Sequence, residues 1–225
     1  MKPRQPRKFD GGLTPLKSVF TLSLVLLCIF FPFGFSDNPF ADMLLRDLLL
    51  VIIIGWLLRL FKLPFDQLGF HRFAPTEYLF GIGAGILLIG INLGLSSLSE
   101  ALLGPVADYI TSAYEKLSPH NMGQMLVLGT EIIIITPFLE EIIFRSLIFR
   151  GFRSYGFWPA ALLASFIYAL LYLNPWAALP VFVMAMVLCW VYEKTGNLSV
   201  TLLAHLLANI AFFLELAGLI KLESL

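Results

Sequence analysis

Charge is what this chain has least of. Only 13% of its 225 residues are Asp, Glu, Lys or Arg, 59% are hydrophobic, and the mean hydropathy is +0.87. A soluble domain carries about a quarter charged residues, so an ordinary water-soluble fold is excluded and a polytopic membrane protein is indicated. Long polar stretches are also missing. The longest, residues 99–123, leaves no room for a soluble domain, and the chain shows neither an internal repeat nor a low-complexity tract. Cysteine is scarce: Cys28 and Cys189 are the only two. Both lie in apolar runs, where sulfur acts as a small hydrophobe, which argues against disulfide, redox or thiolate-metal chemistry. The first apolar run lacks the small-x-small cleavage pattern of a secretory signal, and its length and phenylalanine content make it a retained anchor.

What is present is a series of apolar runs, each near the roughly 20 residues a helix needs to cross a bilayer. They cover residues 18–35, 43–61, 78–98, 125–149, 157–173, 176–192 and 198–216. The expected fold class is all-α: a polytopic transmembrane helical bundle of about seven spans, eight if one is broken. It is expected to form a single membrane-embedded domain over 18–225 behind a basic tail at 1–17. Lys2, Arg4, Arg7, Lys8 and Lys17 precede the first run, and the loop after it has Asp37 and Asp42 but no cation. The positive-inside rule therefore puts the N-terminus in the cytoplasm. Within 99–123, Leu102, Leu103, Val106, Tyr109, Ile110 and Tyr114 recur near helical spacing, as in an interfacial amphipathic helix. Residues 63–72 mix Pro, Gly and charge and read as a loop. Gly81, Gly83, Gly85 and Gly90 suit close helix packing, since no strand precedes them and no Lys follows as a phosphate loop would need.

Against that background the segment Pro137-Phe138-Leu139-Glu140-Glu141-Ile142-Ile143-Phe144-Arg145 stands out. An ionised side chain in hydrocarbon costs on the order of 3 kcal/mol even on the gentler insertion scales, so an intramembrane Glu-Glu with a nearby Arg marks a candidate site. On a helix Glu141 and Arg145 share a face and are able to pair, whereas Glu140 points about 100° away. A carboxylate held by Arg145 serves structure; Glu140, facing a poorly hydrated cavity, suits general acid or base work. The competing reading is an ion pair that locks two helices together. In the last run His205 and Asn209 repeat the spacing of four and need polar partners, which a carboxylate with a bound water would supply. Tyr168 and Tyr172 repeat it too, but tyrosine near a membrane boundary ordinarily serves as an interfacial anchor.

Taken in order, Glu-Glu-x-x-x-Arg at Glu140 to Arg145, Tyr-x-x-x-Tyr at Tyr168 to Tyr172 and His-x-x-x-Asn at His205 to Asn209 resemble the CAAX protease and bacteriocin-processing family. Leu68-Gly69-Phe70 and Tyr192-Glu193-Lys194-Thr195-Gly196-Asn197-Leu198 look like that family's flanking segments, so the resemblance covers about residues 68–213. It implies an all-helical intramembrane endopeptidase acting on a membrane-associated peptide or protein, prenylated or a precursor peptide. By the same resemblance Glu140 is the base that activates water, Glu141 and Arg145 the supporting pair, and His205 with Asn209 the oxyanion stabilisers. The alternative is a weakened or inactive member that serves as a peptide-binding, immunity or maturation factor.

One family position differs. Where the second motif reads Phe-x-x-x-His, this chain has Tyr172 in place of the histidine. A phenol donates a hydrogen bond well but accepts a proton poorly near neutral pH, so a glutamate-driven reaction survives in weakened form with Tyr172 as the stand-in. Zinc is disfavoured and no cofactor is expected, because a catalytic zinc ordinarily takes three protein ligands. His120, in an outer loop after Pro119, is not expected to supply a missing one. If the fourth span runs straight inward, Glu140 lies near the cytoplasmic side and Tyr172 near the outer end of the fifth. A break at Pro137 or a delayed helix start at Pro159 would bring them together. The expected location is the bacterial cytoplasmic membrane, the bilayer is the surrounding partner, no nucleic acid is expected to bind, and the oligomeric state is left open.

Overall fold

A computed structural model describes residues 13–30, 38–72, 74–106 and 119–218. Among the described residues there are seven helices and no strand: α1 (Pro15–Phe30), α2 (Pro39–Leu60), α3 (Pro75–Leu103), α4 (122–152), α5 (Phe157–Leu171), α6 (Pro175–Thr195) and α7 (Leu198–Leu216). The all-α membrane bundle read from the apolar runs is borne out. Of these helices α3, α6 and α7 are each long and apolar enough to cross a membrane. The basic tail falls outside the described residues over 1–12, as does the end of the first apolar run at 31–35. The expected amphipathic helix does so over 107–118.

Local sequence explains where the helices start and stop. Asn38, Asn121, Asn174 and Asn197 stand at the N-caps of α2, α4, α6 and α7, and each side chain accepts a hydrogen bond from a backbone N–H of the first turn. This satisfies donors that a new helix leaves unpaired. In α2 and α6 the cap is followed by Pro39 or Pro175, whose missing N–H is no loss at that position. Gly196, at φ 60, ends α6 in the left-handed conformation.

α5 shows most plainly which solvent the bundle is built for. Apart from Tyr168, its buried side is small: Ala160, Ala161, Ala164, Ser165 and Ala169. Its exposed side carries Trp158, Leu162, Phe166 and Leu170 at a spacing of four. Large apolar side chains outside and small ones inside invert the soluble pattern and suit a helix bathed in lipid. α3 uses the same device against α7. A Cβ on Gly85 would lie 2.9 Å from Leu207, and one on Gly81 would lie 3.0 Å from Leu203. Gly81 and Gly85 therefore allow close packing, while Gly83 and Gly90 face open space.

α4 departs from regular geometry twice. Residues Glu131–Ile135 and Glu141–Phe149 are π-helical, with Thr136 N–H donating to the Glu131 carbonyl and Arg150 N–H to that of Arg145, five residues back in each case. Pro137 follows the first wide segment. It has no N–H to give, and its ring crowds the carbonyl four residues earlier. The fourth span is thus one helix with altered register rather than two broken halves, which keeps the total at seven among the described residues.

The stretch 63–72, expected to be a loop, contains a short 3-10 turn at Phe65–Leu68 that is docked into the bundle. The Leu68 carbonyl accepts from the hydroxyls of Ser146 at 3.0 Å and Tyr192 at 3.3 Å, and the Gly69 carbonyl accepts from Leu198 N–H at 2.8 Å. Gly69 sits at φ 101, and a Cβ there would come within 2.7 Å of the Tyr192 hydroxyl. This turn ties α4, α6 and α7 together at one end of the bundle.

Candidate active site

Helix geometry sets the depth at which side chains meet. α4 ends at residue 152 and α5 begins at Phe157, so the two are joined by a tight turn. Glu140 lies 12 residues before that end and Tyr168 lies 11 after that start. At 1.5 Å per residue both sit about 17 Å along their helices from the shared turn. The expected difficulty over depth is resolved by this equality: the tyrosine that reaches Glu140 is Tyr168, one turn before Tyr172. Pro159 falls in the first turn of α5 and does not delay it.

The Tyr168 hydroxyl donates to Glu140 Oε2 at 2.7 Å. The Tyr172 hydroxyl lies 3.1 Å from that of Tyr168. Because the single Tyr168 proton is committed to the carboxylate, Tyr172 is the donor of that second bond, giving a chain Tyr172 to Tyr168 to Glu140. Tyr172 is 43% exposed at the end of α5, while Tyr168 is buried. The placement of Tyr172 corrects the expectation that it occupies the position beside the base; it joins the site through Tyr168. By sequence Tyr168 reads as a membrane-boundary tyrosine, and its one signal is the spacing of four from Tyr172.

Glu140 and Glu141 face different neighbours and meet at one imidazole. Glu141 Oε1 lies 2.9 Å from His205 Nδ1 and 3.3 Å from Arg145 Nη1. Glu140 Oε2 lies 3.7 Å from His205 Nε2. Glu141 and Arg145 are fully buried, whereas the Glu140 side chain is 18% exposed. Arg145 also lies over the Tyr168 ring, its Cζ 5.2 Å from the centroid, so its charge is shared between a carboxylate and an aromatic face. None of its three guanidinium nitrogens has a conventional hydrogen bond to a described group. The ring of Phe144 packs edge-on against Tyr168 at 4.7 Å.

Asn209, one turn beyond His205 on α7, is placed elsewhere. Its Nδ2 donates to the backbone carbonyl of Ile132 at 2.8 Å. His120 is exposed before the start of α4, its backbone N–H bonded to the Gln124 side chain, some 20 residues of helix from Glu140. The donor set at the centre is therefore two carboxylates, one imidazole and two phenols. With Nδ1 engaged by Glu141, one imidazole nitrogen faces Glu140, fewer nitrogen donors than a three-ligand zinc site commonly uses.

A second charged cluster joins α2 to α4. Arg46 on α2 contacts Asp47 Oδ1 and Glu131 Oε1, each at 2.9 Å from Nη2, and Thr136 Oγ1 donates to the same Glu131 oxygen at 2.9 Å. All three charges lie within apolar runs, which was the signal available to find them.

Comparison with known proteins bears on the family. Residues 122–211 match the family described as Type II CAAX prenyl endopeptidase Rce1-like, and the resemblance carried by the three motifs is thereby borne out over the stretch that contains all of them. The match begins at Met122, so Leu68 and Gly69 lie outside it although they dock against it. The chain is also similar to UPF0177 protein YxdF of Lactococcus lactis subsp. lactis (strain IL1403), at 32% identity over 92 residues, 40% of this chain and 51% of that protein. The chain thus spans about half the length of this curated relative. No solved structure matches it. At the level of the family, the similarity is to membrane proteases.

Proposed function

We propose that this protein is an intramembrane endopeptidase in which Glu140 activates water for attack on a peptide bond of a membrane-associated substrate. The observation that carries this reading is the convergence of Glu140, Glu141 and His205, from positions 64 residues apart, inside a helical bundle. A gap of 3.7 Å between Glu140 Oε2 and His205 Nε2 lets one water hydrogen-bond to both at ordinary distances. Glu140 takes the proton as the oxygen attacks, then gives it to the leaving amine. Glu141 on Nδ1 orients the His205 ring so that Nε2, when it carries a proton, donates to the developing oxyanion. Tyr168 holds the working oxygen of Glu140, and Arg145 balances Glu141. The basic residues ahead of the first apolar run support an N-terminus in the cytoplasm.

The test is cleavage of bilayer-anchored reporter peptides, farnesylated and unmodified, by purified protein in liposomes. Glu140→Gln is expected to lose turnover while inserting and folding normally. Equal turnover by both proteins would remove Glu140 from the mechanism.

One observation favours a second reading, that of a slow or inactive member that binds membrane peptides. Tyr172 stands at the family's histidine position and contacts Tyr168. Tyr172→His raises turnover if the phenol is a weak substitute. Peptide retention without cleavage by either protein supports the binding role.

A further inference from the structure

The π-turn of α4 creates a defect, and α7 mends it. In a regular α-helix the Ile132 carbonyl would accept from Thr136 N–H; in the wider register it would accept from residue 137. Thr136 donates instead to Glu131, and residue 137 is Pro137, which has no N–H. A backbone carbonyl inside a membrane bundle must find a donor, because lipid supplies none. Asn209 Nδ2 provides it at 2.8 Å, and since a carbonyl only accepts, the amide nitrogen is the end of Asn209 that faces it.

The same face of α7 carries His205, one turn earlier, against Glu140 and Glu141. Higher numbers on α4 meet lower numbers on α7, so the two helices run antiparallel along this seam. Carbonyls point toward the C-terminus of a helix and side chains lean toward its N-terminus. That brings the Ile132 carbonyl and the Glu141 side chain within about one turn of each other, matching the spacing of Asn209 and His205. The seam therefore fixes both the rotation and the height of the segment that presents Glu140.

We infer that Asn209 is a positioning residue for Glu140, a clamp on the Ile132 carbonyl that Pro137 leaves unpaired, and that it holds the wide turn of α4 in register with His205. This deepens the protease reading and rests on it for the catalytic consequence.

The experiment is a double-mutant cycle between Asn209→Leu and Pro137→Ala, because alanine in place of the proline returns the missing backbone N–H and makes the side-chain donor redundant. Three quantities are read on the purified protein: the thermal midpoint, kcat and KM for a cleaved reporter, and the rate at which a hydrophobic carbodiimide modifies Glu140. Asn209→Leu is expected to lower the midpoint by about 2–4 °C, the scale of one lost hydrogen bond in a chain of this size. It should lower kcat about tenfold or more with KM little changed, as misplacement of a catalytic group does, and change the carbodiimide rate severalfold. In the Pro137→Ala background each loss should shrink to less than half. Equal losses in both backgrounds overturn the clamp. A midpoint that is rescued while kcat is not would place Asn209 on the reacting atoms and overturn the positioning role. If no variant cleaves but the midpoint and Glu140 labelling are coupled as expected, the clamp stands and the protease reading falls. If Asn209→Leu does not insert, Asn209→Ala supplies the same cycle.

Discussion

Two clusters of charge sit nine residues apart on α4, each at a π-helical segment, and they handle burial differently. At Glu131 the cation is Arg46, a third exposed, with Asp47 and Thr136 completing a peripheral strap between α2 and α4. At Glu140 and Glu141 the cation is Arg145, with no exposure at all, and the remaining partners are an imidazole and a phenol. An arginine a third exposed is only partly enclosed by its two carboxylates. A fully buried one depends on its carboxylate, since removing either member strands a charge. The first arrangement fastens two helices. The second encloses a polar centre inside the bundle.

That contrast can be broken at several points. The largest effect is expected from Glu140→Gln, with reporter cleavage falling about 10²–10⁴-fold, the usual range for a general base, and the thermal midpoint nearly unchanged. Next is Arg145→Met, which should cost about 3–5 kcal/mol in reversible unfolding because Glu141 is left charged and buried. Joining it to Glu141→Gln should recover most of that loss, and a double variant no better than the single one would show that charge is not the cause. Tyr168→Phe should cost about 1.5–3 kcal/mol of transition-state stabilisation, the value of a hydrogen bond to a charged group, with a larger effect on kcat than on KM. Finding Tyr172→Phe more damaging than Tyr168→Phe would reverse the order of the phenol chain. The smallest change is expected for Arg46→Met, none on cleavage and a loss on unfolding smaller than that of Arg145→Met, because Arg46 itself is a third exposed although Glu131 and Asp47 are buried. A loss there equal to that of Arg145→Met would erase the distinction between strap and site.

Much of this was legible in the linear sequence. The seven apolar runs became helices α1 to α7, because a run of about 20 apolar residues in lipid has few other ways to satisfy its backbone. Glu141 with Arg145 followed from a spacing of four, and His205 was found because a buried imidazole needs a partner. Other features were hidden. Tyr168 looked like any boundary tyrosine until the common depth of α4 and α5 set it against Glu140. Arg46 and Glu131 are 85 residues apart, and nothing local joins them. Spacing alone gives Asn209 the same task as His205. The register slip at Pro137, a backbone event, gives it a different bond.

By itself, then, the sequence determined the membrane class, the helix count, the caps and the identity of most polar groups at the centre, since these depend on composition and on contacts within a turn or two of helix. Tertiary structure decided which hydroxyl meets Glu140, which atom Asn209 satisfies and which of the two charged clusters is closed to solvent. Those outcomes depend on the relative height and rotation of helices far apart in the chain, quantities that no local spacing encodes.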